Sequence, residues 1–106
     1  MGYIYLIRNR ENLTYKIGVT KNDPEKRVKQ LQTGNSDELD LLYTFETKYP
    51  YRLEKMLHTN YSLYRENNEW FVLDSEQVSL FLDTCDKLQN TLNVLLQNPF
   101  FSKNIK

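Results

Sequence analysis

Apolar and polar positions alternate along the first twenty residues with a period near two, and the period then lengthens to three or four. Tyr3-Ile4-Tyr5-Leu6-Ile7 and Tyr15-Lys16-Ile17-Gly18-Val19 are rich in β-branched and aromatic residues. The polar run from Arg8 to Asn12 separates them, which predicts a β-hairpin. In the second strand a two-residue period places Tyr15, Ile17 and Val19 on one face and Lys16 and Gly18 on the other. Gly18 leaves its face open. Asn22-Asp23-Pro24-Glu25 joins an N-cap residue, an early proline and a Glu at capping-box spacing. A helix is therefore expected from about 23 to 32, with Val28 and Leu31 as its apolar stripe and Arg27 beside them, aimed over the sheet edge.

Leu39 to Thr47 reads as a third strand, and Pro50 opens a helix running from Tyr51 to about Tyr64. Its buried stripe is Leu53, Leu57, Asn60 or Tyr61, and Tyr64, with Met56 beside it, while Glu54 and His58 share a second face. Arg65 to Asn68 reads as a turn, and Glu69-Trp70-Phe71-Val72-Leu73 as a short apolar strand or anchor with Trp70 in the core. A last helix is expected from Asp74 or Ser75, with Ser75 as its cap, to just before Pro99. Val78, Phe81, Cys85, Leu88, Leu92 and Leu95 fall three and four apart on it, and Leu82 and Leu96 widen the stripe. About 24 helical residues span roughly 36 Å, longer than the preceding part of a compact domain should be wide. Two readings stay open: the helix folds over the domain, or it forms a homodimer seam. The sum is a small α/β (α+β) domain, an antiparallel sheet of about three strands flanked by helices. Residues 1–73 form its body, 74–98 the long C-terminal helix and 99–106 a tail that frays or covers an apolar patch.

At 106 residues one core is expected, and eight Tyr, five Phe and one Trp must supply much of its buried area. No run approaches the ~20 apolar residues of a membrane span, and Met1-Gly2 enters a strand pattern with no leader-like segment. An intracellular protein is expected, cytoplasmic or, in a eukaryotic or viral setting, nuclear. The lone Cys85 fits that compartment, excludes an internal disulfide and reads as a small buried residue. Net charge is zero, but residues 1–32 hold seven Lys or Arg against three acids. Lys16, Lys21, Lys26, Arg27 and Lys29 make that end the candidate surface for phosphates.

Taken in order, these pieces resemble the GIY-YIG endonuclease superfamily, and most closely its compact viral and bacterial, phage-T5-type branch. Tyr3-Ile4-Tyr5 stands in the place of the first signature tripeptide and Lys16-Ile17-Gly18 in that of the second. Tyr15-Lys16-Ile17-Gly18, Arg27, Glu54 with His58, and Glu69-Trp70-Phe71 follow the branch pattern. The resemblance covers roughly residues 2–73. Lys16 occupies the place of the second signature tyrosine, and Leu31 a place where many relatives carry histidine.

The resemblance implies a metal-dependent endonuclease that hydrolyses phosphodiester bonds in DNA. Glu54 would bind one divalent cation, Mg²⁺ or Mn²⁺, and Arg27 would contact the scissile phosphate as a permanent planar cation. Tyr5 and Tyr15 would position or deprotonate water, a role that needs nearby cations, Lys16 among them, to lower a phenol pKa from about 10. His58 would contact the leaving phosphate or support Glu54. Glu69 is read as a turn residue outside the catalytic set. The alternative is a catalytically inactive nucleic-acid-binding or protein-interaction module of the same fold, and a purely structural dimer through the last helix is a third reading.

Overall fold

A computed structural model describes residues 1–98. The expectation for the tail at 99–106 lies outside the described residues. Strands β1 (Gly2–Asn9) and β2 (Tyr15–Thr20) form the expected hairpin, followed by α1 (Pro24–Thr33), β3 (Leu39–Thr47) and α2 (Pro50–Asn60). After a 3₁₀ turn at Ser62–Tyr64 come β4 (Arg65–Asn67), β5 (Trp70–Phe71), α3 (Ser75–Ser79) and α4 (Phe81–Gln97). The sheet is antiparallel, with strand order β3-β1-β2-β5-β4.

β1 lies between β3 and β2 and is covered on both faces, which is why its apolar run is nearly unbroken from Tyr3 to Ile7. Ile4, Leu6 and Ile17 face α2 and α4, where they pack with Leu53, Leu57, Tyr61, Phe71, Phe81 and Cys85. Tyr5 and Ile7 face the other way, into a smaller core with Leu39 and the Val28-Leu31 stripe of α1. The sheet is thus sandwiched between α1 on one side and α2 with α4 on the other. Opposite the Leu6/Ile7 step of β1 the register shifts, and β3 places Tyr43 against Leu6 but Leu41 against Ile7. The extra residue, Leu42, makes a bulge.

The differences from the sequence-based expectation are local. The sheet has five strands rather than about three, because Arg65–Asn67 pairs with Trp70–Phe71 and the turn tightens onto Asn68-Glu69. Asn68 takes a positive φ of 47°, which asparagine tolerates in a two-residue hairpin loop. α2 ends at Asn60, so Tyr61 enters the core while Tyr64, past the 3₁₀ turn, is exposed. Asp23 caps α1 by accepting from the Glu25 N–H, so Glu25 lies too close to its cap for the box its spacing suggested.

Asp74, not Ser75, caps the C-terminal region, through a reciprocal box with Gln77. The single long helix is two, broken at Leu80 (φ −94°, ψ 6°). The break leaves Leu80 in solvent and brings Phe81 fully into the core, with Val78 packed beside it. Trp70 is half-buried at the margin of the smaller core. Among the described residues no helix is long and apolar enough to cross a membrane.

Candidate active site

β5 is two residues long, so it covers the outer edge of β2 only at Tyr15 and Lys16. At the next residue the Ile17 N–H donates to the Glu69 carbonyl at 3.1 Å, and the Ile17 carbonyl points to the same side. His58 fills that place: its Nε2–H donates to the Ile17 carbonyl at 2.8 Å. A carbonyl only accepts, so Nε2 carries a proton, and Nδ1 is the ring nitrogen left for a further partner. The Phe71 ring packs on the imidazole, with 5.2 Å between ring centres, and fixes its plane.

One helical turn before His58, Glu54 shares its face of α2. Glu69, in the β4–β5 turn, meets both from the sheet side. One ligand atom each from Glu54, His58 and Glu69 lies within 4.8 Å of the other two. The three are half-buried, and this raises the Glu54 carboxyl to about 7, burial contributing most and the Glu69 charge adding to it, against a lowering pull from Lys16. A carboxyl whose charged form is disfavoured, with a second carboxylate and an imidazole beside it, is suited to sharing a divalent cation. The donor set fits such an ion, and its nitrogen suits Mn²⁺ at least as well as Mg²⁺.

Lys16 faces the α1 side of the sheet. Its Nζ bonds Glu69 Oε1 at 3.2 Å and sits 5.7 Å above the Trp70 ring centre. Tyr5 lies on that same face, buried, its ring resting where Gly18 has no side chain: a Cβ on Gly18 would overlap Tyr5 Cζ and Oη. Burial pushes the Tyr5 hydroxyl up, with Glu69 and Glu54 adding to it, while a hydrogen bond and the charge of Arg27 pull it down. The net direction is upward, so Tyr5 keeps its proton in the metal-free protein. The lowering cation is Arg27 rather than Lys16. Arg27 is half-buried beside the Val28-Leu31 stripe of α1 and also reaches Gln30 Oε1 at 3.4 Å.

The structure therefore gathers Tyr5, Lys16, Arg27, Glu54 and His58 around the open edge of β2, and adds Glu69. Tyr15 projects to the opposite sheet face from Lys16 and packs against the main core. Lys26 and Lys29 are exposed on α1, and Lys21 lies over the Tyr51 ring. Glu69 escaped sequence reasoning because its neighbours in the chain say only "turn". Its place beside Glu54 depends on the β4–β5 hairpin docking on β2, 53 residues earlier at Lys16.

Comparison with known proteins adds a family. No curated protein and no solved structure matches the chain. The profile of the T5orf172 domain matches residues 2–86, from the first residue of β1 into α4 and across every residue of the cluster. The chain belongs to the T5orf172 domain family, a phage-T5-derived family associated with nuclease-like folds.

Proposed function

We propose that the protein is a metal-dependent endonuclease of the GIY-YIG type that hydrolyses phosphodiester bonds in DNA. The observation that carries this reading is the convergence of Glu54, His58 and Glu69 next to Tyr5 and Arg27. Glu54, Glu69 and the Nδ1 of His58 would hold one Mg²⁺ or Mn²⁺. When bound, that ion supplies Lewis-acid neutralisation of charge on the phosphoryl and leaving oxygens. Arg27 offers its fork of N–H donors to the non-bridging oxygens of the scissile phosphate and stays charged throughout. Tyr5, whose hydroxyl feels the charge of Arg27, orients the attacking water by a hydrogen bond, and the proton that water loses as the P–O bond forms passes to solvent. Lys16 holds Glu69 in place through its 3.2 Å bridge, and the carbonyl of Ile17 holds the His58 ring.

The test is supercoiled plasmid at low salt with Mg²⁺, with Mn²⁺ or with chelator, alongside Glu54→Ala and Glu69→Gln. Metal-dependent nicking is expected from the wild-type protein. Glu54→Ala should lose it and Glu69→Gln should lower it by 10-fold or more, consistent with losing one ligand. Absence of cleavage under all conditions, or cleavage unchanged in Glu54→Ala, would overturn the assignment.

A further inference from the structure

Beyond the candidate active site, Lys21, Lys48, Tyr49, Tyr51 and Arg52 line an open cleft of about 380 Å³. It lies where the end of β2, the β3–α2 connection and the first turn of α2 meet. Every charged side chain on its walls is basic. Arg8, Arg10 and Lys16 are each bridged to a carboxylate, whereas none of the salt bridges among the described residues reaches Lys21, Lys48 or Arg52. Arg52 Nη1 is buried without a hydrogen-bond partner, a costly state for a charged donor unless a ligand or water meets it. Tyr51 is 57% exposed, and Lys21 Nζ stands 5.6 Å from its ring centre. α2 begins with no side-chain cap at Tyr49, so its first amides add positive potential to the same cleft.

Helix α2 carries residues of both the cleft and the candidate active site. Tyr51, Glu54 and His58 are spaced three and four apart on α2 and share one face. From Tyr51 to Glu54 the helix rises only about 4.5 Å. A strand lying across Glu54 therefore reaches Tyr51 and Lys21 within one turn.

We propose that this cleft binds the nucleic-acid strand flanking the scissile phosphate, with Lys21, Lys48 and Arg52 on its phosphates and the Tyr51 ring against an unstacked base. The strand is single or locally unpaired there, since a base inside a duplex cannot offer its face to a side chain. An acidic peptide would match the cations but leave the exposed ring without a role; phosphates and a base use both. Placing the strand beside a cut rests on the nuclease reading, while binding in the cleft does not.

The experiment measures fluorescence anisotropy of a labelled oligonucleotide, single-stranded and as a duplex, in chelator so that no cleavage occurs. A Lys21→Ala/Lys48→Ala variant should bind the single strand about 10-fold more weakly at low salt. Its log K against log salt should be shallower by about 1.4, two phosphate contacts' worth. Tyr51→Ala should weaken single-strand binding roughly 10-fold and duplex binding less, and Tyr51→Phe should restore it, because stacking needs the ring and not the hydroxyl. Far-UV circular dichroism and melting of each variant confirm that it folds. Wild-type affinity and salt slope in the lysine variant would overturn the proposal, as would equal losses in Tyr51→Ala and Tyr51→Phe. So would polyglutamate binding that the variants abolish while oligonucleotide binding persists. Glu54→Ala separates the two readings: if it abolishes cleavage and leaves this binding intact, both stand, and if the chain never cleaves, the binding result still decides the cleft.

Discussion

Gly18 has no side chain in the place where Tyr5 puts its ring. The two are cross-strand partners in the β1–β2 register, and the hydroxyl end of the aromatic ring occupies the space a Gly18 side chain would take on the α1 face of the sheet. An added methyl would meet Cζ and Oη, the end of the ring that carries the hydroxyl. That end is held by burial and by Arg27, so the clash cannot be relieved by a flexible chain swinging into solvent. Gly18→Ala is expected to cost about 1–3 kcal/mol, the range for overpacking a core, readable by urea denaturation. Under the proposed function cleavage should fall far more than the folded fraction does, since the displaced atom is the one proposed to position water. An Ala variant that cleaves normally would show that the Tyr5 hydroxyl takes no part in the reaction.

Among the elements, those the sequence announces carry their signals locally. β1 and β2 show period two with a glycine on the site face, α1 has Asp23 and Pro24 at its start, and α2 opens on Pro50 with Glu54 and His58 four apart. The others are fixed by distant contacts. β4 and β5 are too short, at three and two residues, for alternation to be visible, and they exist as strands because β2 offers an unpaired edge. Glu69 inherits its place from that docking, which is why half of the carboxylate pair was hidden. The α3–α4 break was hidden for the opposite reason: the apolar spacing runs through Leu80 unchanged, with no Gly or Pro to mark it. α3, only five residues long, cannot hold itself together by backbone bonds alone, so its capping box should matter. Asp74→Ala is expected to lower stability by about 0.5–2 kcal/mol, seen as a lower urea midpoint at unchanged slope. Cleavage by the protein that remains folded should be unaffected, because the box lies outside the Glu54 cluster. A loss of activity that outruns the loss of folded protein would tie α3 to the site.

At the scale of the whole molecule, the stability curve itself should report the site. In the metal-free protein Glu54 titrates at about 7 when folded against 4.5 for the free group, so between those values the folded state holds more protons than the unfolded chain. Stability must then decline as pH rises from about 4.5 to about 7 and stay reduced above it. The carboxyl is half-buried and partly screened by water, which limits the effect to about 1–2 kcal/mol. A divalent cation held as proposed would reverse the sign, since it would bind the ionised form of Glu54 that the fold alone disfavours. At a hundredfold excess over its dissociation constant it adds about 2.7 kcal/mol, on the order of 10 °C in melting temperature for a domain of this size. Melting curves from pH 4.5 to 8, with Mn²⁺ and with chelator, should therefore converge at the acid end and separate towards pH 8. Glu54→Gln should melt higher than wild type at pH 8 in chelator and lose the response to Mn²⁺. Glu69→Gln should also lose most of that response, and Lys16→Met should weaken it, because Lys16 holds the Glu69 carboxylate at 3.2 Å and favours the ionised form of Glu54. A Mn²⁺ response that survives in Glu54→Gln would move the metal away from this cluster.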